Sequence, residues 1–110
     1  MKTIIKKAET FRRSLKFTNK RTGGAVDLTG CTAYSQMRDV PGGTLLATAE
    51  CSIVPTDGTV NVLYDKTVTA ELPIGDAGYD VWLVCDDEQK PIFTEEVTII
   101  DSYTEVEDGA

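Results

Sequence analysis

The side chains of this sequence that could do chemistry are carboxylates, three thiols and a few aromatic rings, because the chain contains no histidine. Without histidine, Ser-His and Cys-His nucleophile pairs are excluded and the commonest metal ligand is missing. The acidic clusters are Asp86-Asp87-Glu88 and Glu95-Glu96. A solvated turn and a wet strand edge explain them better than a general acid and base. We therefore expect neither an enzyme nor a cofactor.

Metal sites are also not expected from the sequence. The first acidic cluster could hold a weak calcium ion through its carboxylate oxygens, but it lacks the ligand spacing of a dedicated calcium loop. The thiols belong to Cys31, Cys51 and Cys85. Their odd number, wide spacing and lack of a C-x-x-C pair argue against a disulfide framework and a zinc site. We expect all three to be small, buried, apolar side chains.

The residues best suited to bind a partner lie on the wet faces of two predicted strands. Trp82 alternates with apolar neighbours, so the pattern places it outward beside Asp80. An outward tryptophan could anchor a protein interface, stack on a sugar ring, or simply be covered by a loop. Basic residues of the first predicted strand are further candidates. The full set of possible contact residues is Tyr34, Gln36, Arg38, Asp80, Trp82, Arg12 and Arg13.

Short stretches with a period of two, separated by turn residues, must position these side chains. The predicted strands cover residues 10–17, 25–28, 31–38, 45–54, 60–64, 78–85 and 91–100. One short helical turn is predicted near residues 66–72, ending before Pro73. This pattern predicts an all-β fold: a single antiparallel β-sandwich, immunoglobulin-like, with about seven strands.

Two charged residues interrupt the apolar faces of these strands. Arg13 falls on the apolar side of the first strand, which indicates a position near a strand end or a sheet edge. Glu95 falls among the inward positions of the last strand, between Phe93 and Val97.

Charge is unevenly distributed along the chain. Residues 1–21 contain eight of the eleven basic residues and one acid, so they carry +7, and the remainder carries −14. This polarity opposes binding of nucleic acid by the body of the domain. It suits head-to-tail contact between copies or partners of mixed charge, unless neighbouring strands offset each other locally.

The chain is expected to form one domain with two polar ends. We assign residues 1–9 to a basic N-terminal segment, residues 10–101 to the sandwich and residues 102–110 to an acidic, flexible tail. The N-terminus has no apolar run typical of a signal peptide, and no stretch approaches the length of a membrane span. We therefore expect no membrane association and a cytoplasmic location.

The chain resembles a family of small tailed-phage and prophage proteins. Their immunoglobulin-like sandwich is similar to the N-terminal domain of upper baseplate proteins. The resemblance rests on residues 10–17, on Val26-Asp27-Leu28-Thr29-Gly30 with the strand at 32–38, on the Pro41-Gly42-Gly43 turn, and on Leu72-Pro73 followed by Gly78-Tyr79-Asp80-Val81.

The resemblance implies a non-enzymatic virion structural or assembly module in the tail, baseplate or fibre-attachment region. Its partners would be other phage structural proteins or further copies of itself. Its location would be the host bacterial cytoplasm during assembly and then the virion. Two alternatives follow from the residues: a small acidic phage-encoded inhibitor or regulator of a host protein, and a carbohydrate-binding β-sandwich.

Overall fold

The structure of the chain is a computed structural model that describes residues 2–103. Within them the backbone forms eight strands and two short helical turns. The strands are β1 (Thr3–Lys6), β2 (Phe11–Lys16), β3 (Cys31–Arg38), β4 (Leu45–Thr48), β5 (Glu50–Val54), β6 (Thr59–Tyr64), β7 (Gly75–Cys85) and β8 (Glu88–Ile100). A 3₁₀ turn, Pro55–Asp57, precedes β6, and the helical turn α1 (Lys66–Thr69) follows it.

The strands form two sheets that pack face to face. The larger sheet has the order β1-β8-β7-β3-β4 and the smaller has the order β2-β6-β5. Neighbouring strands are antiparallel, except that β1 runs parallel to β8. Successive side chains of a strand point to opposite faces, so the alternating apolar positions meet between the sheets. The predicted all-β, immunoglobulin-like sandwich is confirmed.

Aromatic rings fill the centre of the sandwich. Phe11, Tyr64 and Tyr79 pack with ring centroids 5.6 to 6.2 Å apart. The hydroxyl groups of Ser35 in β3 and Tyr64 in β6 lie 2.8 Å apart, which satisfies two buried polar groups and links the two sheets.

Two predicted strands differ in the structure. The single strand expected at residues 45–54 is broken at Ala49, whose N–H donates to the carbonyl of Ser35 at 3.0 Å. β4 pairs with β3 and β5 pairs with β6, so the chain changes sheets there. The strand expected at residues 25–28 is reduced to one isolated bridge, between Thr18 and Ala25.

The N-terminal residues join the sandwich. Residues 1–9, expected to form a separate basic segment, contribute β1, in which Ile5 is fully buried and lies beside Ile99 of β8. Pairing with β8 and apolar burial at this position together stabilise so short a strand. Most of the expected acidic tail, residues 104–110, lies outside the described residues.

Cys31 and Cys85 form a disulfide, which corrects the expectation that all three cysteines are free. The two residues lie directly opposite each other in the β3–β7 pairing, with Cα atoms 4.2 Å apart. Cys51 in β5 is free, and burial raises the pKa of its thiol. Because disulfides persist mainly in oxidising compartments, the bridge does not support the cytoplasmic location, which stays a prediction.

The turn before β6 requires glycine at position 58, because a side chain would not fit there. This residue has a φ of 63°, and a Cβ there would lie 2.6 Å from the carbonyl oxygen of Phe17 and 2.7 Å from that of Val26. The N–H of Phe17 donates to the carbonyl of Gly58 at 2.8 Å. Three backbone segments are therefore in contact where the chain leaves β2.

Replacing Gly58 with alanine is expected to lower the free energy of unfolding by about 2 kcal/mol, because a clash with backbone adds to left-handed strain. Gly23→Ala is the matched control, since Gly23 has a φ of 76° and open space around its Cβ position. It should cost about 1 kcal/mol from strain alone. Urea unfolding measures both, and equal losses would contradict the role of close backbone contact.

No helix within residues 2–103 is long and apolar enough to cross a membrane.

Candidate functional site

The outward side chains of β3 and β7 form one continuous face on the five-stranded sheet. The pairing places Tyr34 opposite Trp82 and Gln36 opposite Asp80. Tyr34 is 57% exposed and Trp82 is 36% exposed, so both rings are available to a partner. The structure thus brings together five of the seven candidate contact residues: Tyr34, Gln36, Arg38, Asp80 and Trp82.

A groove of about 760 Å³ runs along this face and is termed the sheet groove. Gly78 leaves its floor without a side chain between Arg38 on β3 and Glu96 on β8, the two residues opposite it. Loop residues 39–42 line one side and expose Val40. The sheet groove therefore has an open floor at Gly78, aromatic rings at Tyr34 and Trp82, and an exposed apolar side chain at Val40.

Unpaired acidic groups distinguish the sheet groove electrostatically. At one end, Lys2 Nζ lies 3.2 Å from Asp76 Oδ2, so these two charges offset each other. The carboxylates of Asp80 and Glu96 make no hydrogen bond or ion pair with any of residues 2–103. They lie at diagonal positions of the β7–β8 pairing, on the same face of the sheet, where long side chains come within reach of each other.

Arg38 and Gln36 hold the hairpin that borders the groove. Arg38 Nη1 donates to the carbonyl of Gly43 at 2.8 Å, and Nη2 donates to Gln36 Oε1 at 3.0 Å. Asp39 Oδ1 accepts from the N–H of Thr44 at 2.9 Å, which closes the same loop. Both candidate residues thus shape the rim of the groove besides lining it.

Arg12 and Arg13 lie on β2, in the other sheet, so the structure does not bring them to the groove. Arg12 is exposed and lines a shallow depression on the outer face of the three-stranded sheet, together with Asn61 and Ser52. Arg13 turns inward at the edge of the sandwich and binds Glu95. Its guanidinium is therefore already occupied within the chain.

Glu95 accepts hydrogen bonds from three other strands. Arg13 donates from Nε to Oε1 and from Nη2 to Oε2, both at 3.1 Å, in a bidentate arrangement. Thr3 donates to Oε2 at 2.6 Å, and the hydroxyl of Tyr79 donates to Oε1 at 2.5 Å. Arg13 also stacks over the ring of Phe11, with Cζ 4.6 Å from the centroid.

These contacts connect the two sheets at one edge. The Glu95 cluster comprises Thr3, Arg13, Tyr79 and Glu95.

The groups of the Glu95 cluster fix each other's protonation states. Burial acts to raise the pKa of Glu95, but hydrogen bonds from Arg13, Thr3 and Tyr79 outweigh it and lower the pKa to about 2. The hydrogen bond to Glu95 raises the pKa of Arg13. Burial, and then the bond to Glu95, raise the pKa of Tyr79. The cluster therefore stays charged at neutral pH and acts as a structural clamp.

Residues 2–103 contain no group of three or more Cys, Asp or Glu side chains that could hold a metal ion. The acidic turn considered for calcium lies between β7 and β8, and its Glu88 carboxylate is 3.7 Å from Lys90 Nζ. The sheet groove is where exposed aromatic rings and unpaired carboxylates lie together.

Most of the other residues that line the groove were not among the candidates, and three of them shape or charge its floor: Gly78, Asp76 and Glu96. A signal for each was present in the alternation. Asp76 and Gly78 continue the outward series of Asp80 and Trp82 once β7 is extended to begin at Gly75. Glu96 follows the inward Glu95 and must therefore point outward.

No protein-family model matches the chain, and no curated protein sequence matches it. Among solved structures, the fold is similar to that of CopC from Methylosinus trichosporium OB3b, with a TM-score of 0.52 and 15% sequence identity. The alignment covers 96% of this chain and 89% of the CopC chain. At this identity the likeness shows a shared fold, and function has to be argued from the site.

This finding overturns the resemblance to upper baseplate proteins, because the similarity found is to CopC. The prediction of a phage or prophage virion module, and of a tail or baseplate protein, is wrong. The alternatives stated with it, a phage-encoded inhibitor and a carbohydrate-binding sandwich, are withdrawn as well. The physical reason is that the residue blocks behind the resemblance are alternating strands and turns, which unrelated sandwiches share.

Proposed function

We propose that this protein is a non-enzymatic binding module that holds a positively charged segment of a protein partner in the sheet groove. The observation that carries the proposal is the pair of unpaired carboxylates, Asp80 and Glu96, beside the exposed rings of Tyr34 and Trp82.

The chemistry of the groove selects a cation with an apolar stem. A lysine or arginine side chain laid over Gly78 places its charged end between the two carboxylates and its methylene groups on the groove floor. A second cation can lie over the ring of Trp82, where the π face attracts it. Because the groove follows an exposed sheet face, an extended peptide segment can present both side chains.

Trp82 reports on binding directly, since it is the chain's one tryptophan. Titration with the blocked peptide Ac-Lys-Arg-Lys-Arg-NH2 is expected to change its fluorescence saturably. Raising the salt concentration should weaken the binding, because exposed charge pairs are screened. The same peptide with glutamate at every position should cause no saturable change.

The variant Asp80→Asn/Glu96→Gln is expected to weaken peptide binding about tenfold, since two exposed ion pairs contribute up to about 1 kcal/mol each. The matched control is Glu50→Gln/Asp57→Asn, which removes the same charge from exposed positions outside the groove. Its affinity should stay within about twofold of the wild type. An equal loss in both variants, or no saturable response in the wild type, would refute the proposal.

A further inference from the structure

We infer that the segment held in the sheet groove is the loop of residues 18–25 from a second copy of this chain, so that copies join head to tail. The inference rests on the proposed function, because it names the partner of the same groove. It follows from two complementary sets of unpaired charges on one molecule.

The loop of residues 18–25, termed the basic loop, is exposed yet ordered by its own hydrogen bonds. An isolated bridge closes its base, and the N–H of Asn19 donates to the carbonyl of Gly24 at 2.8 Å. Lys20 and Arg21 lie at its tip, and neither side chain has a hydrogen bond or ion pair with any of residues 2–103. The loop thus presents two adjacent free cations on a backbone that needs little further ordering to bind.

The basic loop and the sheet groove of one chain do not meet. Hydrogen bonding between Phe17 and Gly58 ties the base of the loop to the three-stranded sheet. The groove lies on the outer face of the five-stranded sheet. This face points away from the three-stranded sheet, which packs about 10 Å away on the inner side. Contact between these two surfaces therefore requires a second copy.

The two free cations of the basic loop can pair with the two free carboxylates of the sheet groove. The planar guanidinium of Arg21 fits against the exposed ring of Trp82 while it pairs with a carboxylate. Lys20 then pairs with the other of the two groove carboxylates, Asp80 and Glu96. Two unpaired cations and two unpaired anions are neutralised together.

The charge distribution along the whole chain favours the same orientation. Residues 1–21, which include the tip of the basic loop, carry +7, and the remainder, which supplies most of the groove, carries −14. Contact between two acidic grooves is opposed by like charge. Because the contact joins two different surfaces, a pair of copies still has one free sheet groove and one free basic loop, so the assembly grows into a ring or an open series.

Complementation between two variants tests the inference. Lys20→Glu/Arg21→Glu reverses the charge of the basic loop, and Asp80→Lys/Glu96→Lys reverses the charge of the groove. In analytical ultracentrifugation at low ionic strength, the wild type should pass beyond a dimer as its concentration rises. Each variant alone should remain monomeric, because its loop and its groove then carry the same sign of charge. Their equimolar mixture should associate, because the intact loop of one variant and the intact groove of the other are of opposite charge, and so are the two reversed surfaces. Circular dichroism checks that both variants are folded.

The control variant is Arg12→Glu/Lys16→Glu, which reverses two exposed charges on β2 outside both surfaces and should associate like the wild type. A monomeric wild type, or a mixture of the two variants that stays monomeric, overturns the inference. The peptide titration repeated on the Lys20→Glu/Arg21→Glu variant separates the two proposals. Peptide binding without chain association overturns the head-to-tail contact alone, and failure of both measurements overturns the proposed function too.

Discussion

Replacing Glu95 with glutamine is expected to lower the free energy of unfolding at pH 7 by about 2 to 3 kcal/mol. The carboxylate has a pKa of about 2 in the folded chain against an ordinary 4.5, which corresponds to about 3 kcal/mol of charge stabilisation. The Glu95 side chain is 20% exposed and the Arg13 side chain is 33% exposed, so screening by solvent reduces this stabilisation. Glutamine preserves the shape, but its NH2 group takes the place of one acceptor oxygen, so two of the four hydrogen bonds to the side chain are lost together with the charge.

The loss should depend on pH with a definite sign. A pKa lowered by folding contributes stability that is fully present above the unfolded value, near 4.5. The contribution declines as the pH falls from 4.5 towards the folded value of about 2 and is absent below it. The wild type and the Glu95→Gln variant should therefore differ most above pH 5 and converge near pH 2.

Neighbouring residues provide the controls for this prediction. Glu96→Gln removes a charge from the next position, which points outward and has no ion pair within residues 2–103, so it should change stability by less than about 0.5 kcal/mol. A double-mutant cycle with Arg13→Gln should show a coupling energy of about 1 to 2 kcal/mol, because the two side chains form one bidentate pair. Urea unfolding measures all these variants. A Glu95→Gln loss no larger than that of Glu96→Gln would contradict the clamp.

Alternation along the chain was enough to predict the faces of the central strands. In β3 and β7 the pattern separates outward Tyr34 and Trp82 from inward Ala33 and Val81, as in the structure. It could do so because a one-residue slip would expose the whole apolar set of a strand, so register follows from local composition. The fold class and five of the groove's residues follow from this property.

Partnerships between distant residues could not be predicted in this way. Arg13 and Glu95 each stand out as a charge on an apolar face, yet they lie 82 residues apart and in different sheets. Nothing local indicates that the two exceptions meet, because their contact depends on how the sheets stack. The sequence therefore predicted that Arg13 contacts an external partner, whereas in the structure its side chain binds Glu95 of the same chain.

Short elements held by tertiary contacts also escaped prediction. β1 has four residues, of which Ile5 alone is fully buried, and its pairing is parallel to a strand more than ninety residues away. Local propensity is a weak guide in such a case, since β-pairing and burial supply the stability. The change of sheet at Ala49 could not be predicted either, because an alternating pattern does not indicate which of the two sheets a strand joins.

Opening the disulfide between Cys31 and Cys85 is expected to produce the largest loss of stability, about 4 kcal/mol. The bridge closes a loop of 54 residues that contains β4, β5 and β6, and the unfolded chain loses the corresponding conformational freedom when the bridge is intact. In the folded protein the β3–β7 pairing already holds the two residues together, so the bond changes the folded state little. Urea unfolding of the wild type with and without dithiothreitol measures the difference.

Variants separate this effect from other consequences of reduction. Cys31→Ala/Cys85→Ala should match the reduced wild type, apart from a smaller cost for the two lost sulfur atoms, and should not respond to dithiothreitol. Cys51→Ala keeps the bridge and should respond as the wild type does, because Cys51 is free in β5. Equal unfolding midpoints for the oxidised and reduced wild type would contradict the prediction, since the bridge would then add nothing to the pairing of the strands it joins.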